Sequence, residues 1–314
     1  MLEDLRFVLR SLARSKVLTT VLLVSLALGT GANAAVCGIV YALLLQPPAG
    51  VEDPGDLLSI YTSEFSGSAY GRSSYPDFVS LAETGVVRDI AAYDDDAVMN
   101  ARLGSSTRAV RVAAVAGDFF GVLRMTPETG RLLQPEDTGT TPAPAVVSLL
   151  LAEFLGDPDT ITGEEIQMGE QPYQVVGVPA ANFRGLRSNR ATDVWIPINA
   201  AGREDRGDRR LSILARHEEG AESFRETLAA ISQRLADEHP STNRGALTNE
   251  AAPRQLSAHR YSPRDPSAGS GFSIIAAVLV GAVALLLVSA CVNAGTLLLS
   301  RAMARRHELA VKRA

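Results

Sequence analysis

The sequence predicts an α+β domain of two lobes held between two membrane-spanning α-helices. Three observations predict it. Val17–Leu45 and Phe272–Ser300 are each 29 residues long without a single charge. The 226 residues between them, Gln46–Gly271, alternate short strand-like and helix-like patterns. Charge divides the same way: the intervening segment has 21 basic against 32 acidic side chains, a net −11, and both ends are basic.

A helix of about 20 apolar residues crosses the hydrocarbon core of a bilayer, so each run is long enough with a turn or more to spare. The first holds 14 Val, Leu and Ile, each favouring insertion by about 0.3–0.6 kcal/mol near the centre of the span. Lys and Arg close to a span mark the cytoplasmic side. Arg6, Arg10, Arg14 and Lys16 precede the first run, and Arg301, Arg305, Arg306, Lys312 and Arg313 follow the second. Both termini are therefore expected in the cytoplasm and the acidic segment on the far side. Its acidity argues against nucleic acid as a partner. The only cysteines, Cys37 and Cys291, lie in the two runs, so the outer segment must fold on its core without a disulfide.

In chain order, Leu5, Val8, Leu9 and Leu12 share one face of 1–16, the spacing of an amphipathic helix lying at the inner membrane surface. The first span, 17–45, contains Ala32-Asn33-Ala34, which fits a signal cleavage site. The apolar run continues well past it to Leu45, which favours an uncleaved anchor. Gly29-Thr-Gly31-Ala-Asn-Ala34 also fits the dinucleotide pattern G-x-G-x-x-A. That pattern needs a strand of 4–8 residues before it, not an uncharged run that starts at Val17. The small and polar residues Ser25, Gly29, Asn33 and Cys37 recur every fourth position and so form one stripe. Ser289 and Asn293 make a similar face on the second span. In lipid such stripes let helices approach and hydrogen-bond, so these six residues are expected to pack helices, and a dimer through the spans is expected from the same faces.

From Gln46 the pattern becomes that of an α/β segment. Leu57–Tyr61 reads as a strand and Tyr75–Glu83 as a short helix capped by Ser74. Asp89–Tyr93, Ala97–Leu103 and Thr107–Ala116 read as strands, with turns at Asp94–Asp96 and Gly104-Ser105. Gly117–Phe120 opens a helical turn ending by Gly130, followed by a strand at Ala145–Ser148 and a helix at Leu149–Leu155. Glu164–Met168 and Tyr173–Val178 flank Gly169-Glu170, a hairpin signal. Asp193–Ile198 and Leu211–Arg216 read as strands. Ala221–His239 is an amphipathic helix with Phe224, Leu228, Ile231 and Leu235 in line, and a last strand is placed near Glu250–Leu256. A strand–helix–strand unit thus opens and closes the segment. The expected membrane-proximal lobe is 46–115 with 211–271, and a strand-rich lobe, 116–210, is inserted in it. The second span is 272–300 and the basic tail 301–314.

Catalytic patterns are missing. The two lysines, Lys16 and Lys312, follow no G-x-x-x-x-G. No G-x-S-x-G occurs, and His217, His239, His259 and His307 have no zinc-ligand spacing. His217-Glu218-Glu219 reads as a solvated charge cluster. Asp94–Asp96 lacks the alternation and glycine of a calcium loop, and Arg203–Arg210 reads as a solvated loop. No catalytic residue, cofactor site or metal site is expected.

A series of stretches in chain order resembles the MacB/FtsX-type ABC transporter permeases. They are Tyr75-Pro76-Asp77-Phe78, Val115-Ala116-Gly117-Asp118-Phe119-Phe120-Gly121-Val122-Leu123, Gly130-Arg131, and Val147-Ser148 to Phe154. Tyr173-Gln-Val-Val-Gly177-Val, Asn182-Phe183-Arg184-Gly185, Asp193-Val-Trp195-Ile-Pro197 and Arg305-Arg306-His-Glu308-Leu-Ala310-Val continue it. The family's Leu-Ser-Tyr-x-x-Trp is replaced by Val147-Ser148-Leu149-Leu150-Leu151-Ala152. The resemblance implies a non-catalytic subunit of the bacterial inner membrane with a MacB-like periplasmic core domain. It implies a separate ABC ATPase whose ATP hydrolysis moves that domain for export or mechanotransmission, and a periplasmic partner. Such permeases carry further spans, so the chain is expected to be a fragment or split product resembling the N-terminal half of the long duplicated permeases. The alternative is a two-span anchor for a periplasmic binding or scaffold domain without transport activity, or a non-functional permease fragment.

Overall fold

Helix α1 covers Lys16–Leu44, because the 28 residues after Lys16 contain no Pro to break the backbone ladder and are mostly Leu, Val and Ala. The computed structural model describes residues 16–44, 46–104, 106–187, 190–217, 221–245, 252–263 and 277–289, with single positions 266, 274, 291, 292, 295, 296 and 299. Among these residues one helix, Thr19–Ile39, is long and apolar enough to cross a membrane. The second apolar run is helical over the shorter Ala277–Ser289. The rest of 272–300 is largely outside the described residues, as are the amphipathic start and the basic tail. Contacts divide the chain into two units, one of Gln46–Ser267 and one of the flanking segments.

The Gln46–Ser267 unit runs β1 (Leu57–Thr62), β2 (Ser73–Ser74), α2 (Tyr75–Ala82), β3 (Ile90–Leu103), β4 (Ser106–Gly117), α3 (Phe119–Val122) and β5 (Pro127–Gly130). It continues with β6 (Ala143–Val147), α4 (Leu149–Leu155), β7 (Glu165–Met168), β8 (Gln171–Pro179) and β9 (Val194–Pro197). It ends with β10 (Arg209–Arg216), α5 (Arg225–Glu238), α6 (Pro240–Asn243) and β11 (Leu256–Arg260). The strands form one sheet in the order β11-β1-β10-β3-β4-β9-β6-β8-β5. Because β7 pairs with both β3 and β8, the part β3-β4-β9-β6-β8-β7 closes on itself as a six-stranded barrel. The remaining β11-β1-β10 extends from the barrel through the first half of β3, where Ile90–Tyr93 pair with β10.

Period-two alternation sorts the side chains. Val110, Val112, Ala145, Val147, Val194 and Ile196 belong to a cluster with Ile166, Met168 and Val175 from β7 and β8. The intervening residues Ala113, Val146 and Trp195 face the other way, into a cluster with Phe119, Phe120, Phe183, Leu57 and Leu214. The opposite face of the open part, Leu58, Ile60, Ala92 and Ile213, packs on α2 and α5 through Phe78, Leu81, Leu228 and Leu235. At Gly130↔Gly177, β5 lies so close to β8 that a Cβ on Gly177 would sit 2.2 Å from the Arg131 carbonyl oxygen. Only glycine permits that approach.

Ser74 caps α2 as expected, accepting from the Asp77 N–H. Three readings need correction. Asp94–Asp96 is no turn: β3 runs unbroken from Ile90 to Leu103, with an irregularity in its pairing to β4 between Asp94 and Ala97. The last strand lies at Leu256–Arg260, later than Glu250–Leu256. Pro127–Gly130 is a strand, where the sequence suggested the end of a helical turn.

Candidate functional site

The predicted packing stripe on α1 is partly covered. Gly29 is buried, Ser25 and Asn33 are half-buried, and Cys37 is exposed. Asn33 Nδ2 donates to the Gly29 carbonyl at 3.0 Å and to the Val283 carbonyl of the second apolar helix at 3.4 Å. Val283 is buried, so the two apolar helices meet at this pair. Ser289 is exposed, and Asn293 lies outside the described residues.

The acidic run of β3 is gripped from three directions. Asp94 pairs with Arg203 at 3.1 Å. Asp95 pairs with Arg187 at 3.5 Å. Asp96 pairs with Arg72 and Arg190. These arginines come from loops 24 to 109 residues away in the chain, which is why charge spacing alone could not find them. The irregularity carrying Asp95 and Asp96 sits where β3 passes from the open sheet into the barrel. A break in the ladder there leaves side chains unmatched to the partner strand, and the arginines occupy that space. Burial pushes the Asp95 carboxyl up despite Arg187, and its Oδ1 is buried without a hydrogen-bond partner among the described residues. Burial acts the same way on Asp96, but the hydrogen bond and charge of Arg72, with Arg190 and Arg187, hold it below the ordinary carboxylate range.

A sign follows for Asp95. A carboxyl raised by folding binds its proton more tightly in the native state, so stability falls as pH rises from about 4 through the folded value. Asp95→Asn removes that dependence while leaving Arg187 within reach of Asp96. The variant is expected to be at least as stable as the parent at pH 7, with the two converging below about pH 4. Unfolding midpoints across a pH series check it, and a variant distinctly less stable at neutral pH would contradict it.

A second ionic cluster corrects the reading of Arg203–Arg210 as solvated. Asp77, in the first turn of α2, is buried. Its Oδ1 accepts from Arg206 Nη1 at 2.8 Å and Asn243 Nδ2 at 3.0 Å, and Arg209 approaches its Oδ2 at 3.3 Å. Arg206 also donates to Ser80 Oγ, and Arg209 to the Thr242 carbonyl. Burial lowers the Arg209 pKa, with Asp77 acting against it. This carboxylate ties α2, the start of β10 and α6 together.

At one end of the barrel, a cavity of about 390 Å³ opens between the starts of β6 and β8 and the end of β9. Its lining holds the hydroxyls of Thr140, Thr141 and Tyr173 and the Asp137 carboxylate, and no group of three His, Cys, Asp or Glu that could hold a metal occurs among the described residues. His217 packs edge-on against Phe224, with ring centroids 4.4 Å apart; Glu218 and Glu219 lie outside the described residues. The arrangement offers ion pairing, packing and a cavity.

The family model for the MacB-like periplasmic core domain matches residues 19–231. The macrolide export ATP-binding/permease protein MacB 2 of Aeromonas hydrophila is 30% identical over 100 residues, covering 32% of this chain and 15% of that protein. The match thus spans a small part of that relative's length. A domain of a putative permease protein from Porphyromonas gingivalis has a TM-score of 0.50 at 14% identity, over 67% of this chain and 91% of that one. The periplasmic region of MacB from Actinobacillus actinomycetemcomitans has a TM-score of 0.47 at 11% identity, over 68% and 90%. A mixed α+β domain with a barrel, directly behind an apolar helix and carrying the match over residues 19–231, makes this chain a member of the MacB-like periplasmic core domain family of MacB/FtsX-type ABC permeases.

Proposed function

We propose that the chain is the membrane subunit, or part of one, of an ABC system in which a separate ATPase hydrolyses ATP in the cytoplasm and moves the domain outside the membrane. The observation that carries the reading is the order of parts: an apolar helix of 21 residues, the family domain, and a second apolar helix. Asn33 links the two helices by hydrogen bond. An ATPase pushing from one side of a membrane needs stiff rods that cross it, and a helix pair locked by a polar contact in lipid is such a rod. The further parts of the reading are that the termini are cytoplasmic, that the domain is periplasmic, that the chain pairs through its helices, and that the domain has two lobes.

Purification of the tagged chain in mild detergent from its own host tests it. The expected result is co-elution of an ABC ATPase whose hydrolysis rate changes when the chain is present. A chain that elutes without an ATPase overturns the reading. A reporter inserted after Thr140 is expected to be active only outside the cytoplasm. The alternative, an anchored binding or scaffold domain without transport, is favoured by the barrel-end cavity and predicts solute or partner capture with no ATPase attached.

A further inference from the structure

We propose that the cavity at the barrel end binds a short, uncharged peptide in extended conformation, held at an opening that two prolines force in the barrel wall. The wall between β6 and β9 is paired over only two positions, Val147↔Val194 and Val146↔Trp195. One position after them, just past the end of β6, the Ser148 N–H donates to the Asp193 carbonyl at 2.8 Å. Hydrogen-bonded positions alternate along an antiparallel pair, so Ser148/Asp193 and Val146/Trp195 are of the same kind. The next of that kind is Pro144 opposite Pro197. Neither proline has an N–H, so the ladder ends there by chemistry. β9 stays attached on its other side, where the Ile198 N–H donates to the Val115 carbonyl at 2.8 Å. The seam therefore opens toward β6, and the cavity lies at this end.

The Pro197 carbonyl belongs to the β6-facing series and has lost the donor that an ordinary residue at 144 would supply. An extended peptide offers an N–H to one side at every second residue, which is how added strands attach to open edges. The surroundings define its side chains. Pro142, Pro172, Tyr173 and Ile198 present apolar surface, and Gln171 and Asn199 present amides. The carboxylate in the lining, Asp137, is occupied by both nitrogens of Arg131 at 2.7 and 2.8 Å and by the Gln134 N–H at 2.9 Å. No uncompensated charge faces the space, so an uncharged segment fits it. A volume of about 390 Å³ falls within the range of small-ligand pockets.

The test is isothermal titration of the full chain in detergent with the blocked tripeptide acetyl-Val-Ala-Val-amide. Saturable heat is expected. Two variants address the mechanism. Thr141→Trp, at an exposed rim position, fills the mouth. Pro144→Ala returns an N–H to the Pro197 carbonyl and lets the seam close. Each is expected to raise Kd at least about tenfold, a change of about 1.4 kcal/mol, with no loss of thermal stability. Absence of saturable heat with the parent chain overturns the proposal. So does unchanged binding in both variants, or equal binding of the same peptide with aspartate at its centre.

Discussion

Replacement of Trp195 by alanine is expected to lower the unfolding midpoint of the outer domain by about 6–20 °C. Large-to-small changes of buried aromatics cost about 3–5 kcal/mol. A domain of this size shifts by about 2–4 °C per kcal/mol. Trp195 belongs at the upper end for a geometric reason. It is 1% exposed and stacks on Phe183 with ring centroids 5.2 Å apart, while Phe120 meets it edge-on at 6.1 Å. Phe120 continues to Phe119, and Phe119 to Tyr93. The aromatic row runs from the outer wall of the barrel, on β9, to the open sheet, on β3. Removing its end member opens a void in the cluster that joins these two parts, where neither can collapse without disturbing its own strand pairing. Far-ultraviolet circular dichroism of the full chain in detergent reads the midpoint. Trp195→Phe keeps the stacked ring and is expected to recover most of the loss. A shift under about 2 °C for the alanine variant would show that the row contributes little.

Much of this architecture was legible because it rests on local pattern. Tyr75–Ala82 follows a serine cap with Pro at its second position, and Gly169 with φ of +61° makes the hairpin of β7 and β8. The alternation of Val110, Val112, Val194 and Ile196 against Ala113 and Trp195 records which side of the barrel wall is which. What failed is what depends on distant partners. Three consecutive aspartates have poor strand propensity and read as a turn. They stay in β3 because Arg72, Arg187, Arg190 and Arg203 arrive from loops far along the chain. Closure of the barrel was equally hidden: β7 pairs with β3 through Ala101↔Met168 and Arg102↔Gln167, a contact that leaves no periodic trace. The proline pair at 144 and 197 is plain in the sequence, but only the register of β6 on β9 makes the two residues opposite.

On the membrane side, the same distinction holds. The fourfold spacing of Ser25, Gly29, Asn33 and Cys37 marks a face, and the helix geometry alone puts them in one stripe. It does not say which member meets a neighbour. Asn33 reaches across to Val283 while Cys37 stays exposed, a choice set by where the second helix lies against the first.

The second large effect is expected at Asp77. Its carboxylate is 3% exposed and stands between Arg206 and Arg209, whose side chains are 18% and 14% exposed. Taking away one partner of a buried ionic cluster leaves uncompensated charge, which costs about 3–5 kcal/mol. Asp77→Ala strands two guanidinium groups and the Asn243 amide together, and Arg209 Nη1 already lacks a hydrogen-bond partner among the described residues. It also removes a negative charge from the first turn of α2, where the helix dipole favours one. A fall in midpoint of about 6–20 °C is therefore expected, with α2, β10 and α6 loosening together because α2 carries the carboxylate and β10 and α6 each hold one of its partners. Asp77→Asn keeps an acceptor for Arg206 without the charge, so its loss separates hydrogen bonding from charge pairing. If Asp77→Ala is instead tolerated, the triple variant Asp77→Leu, Arg206→Met, Arg209→Met should be neutral as well. The cluster would then be a feature that packing alone can replace. If the alanine variant is severe and the triple variant restores stability, the cost lies in the orphaned arginines and the carboxylate serves to neutralise them. Hydrogen exchange on the full chain distinguishes the elements, and amides of α2 and β10 are the ones expected to lose protection first.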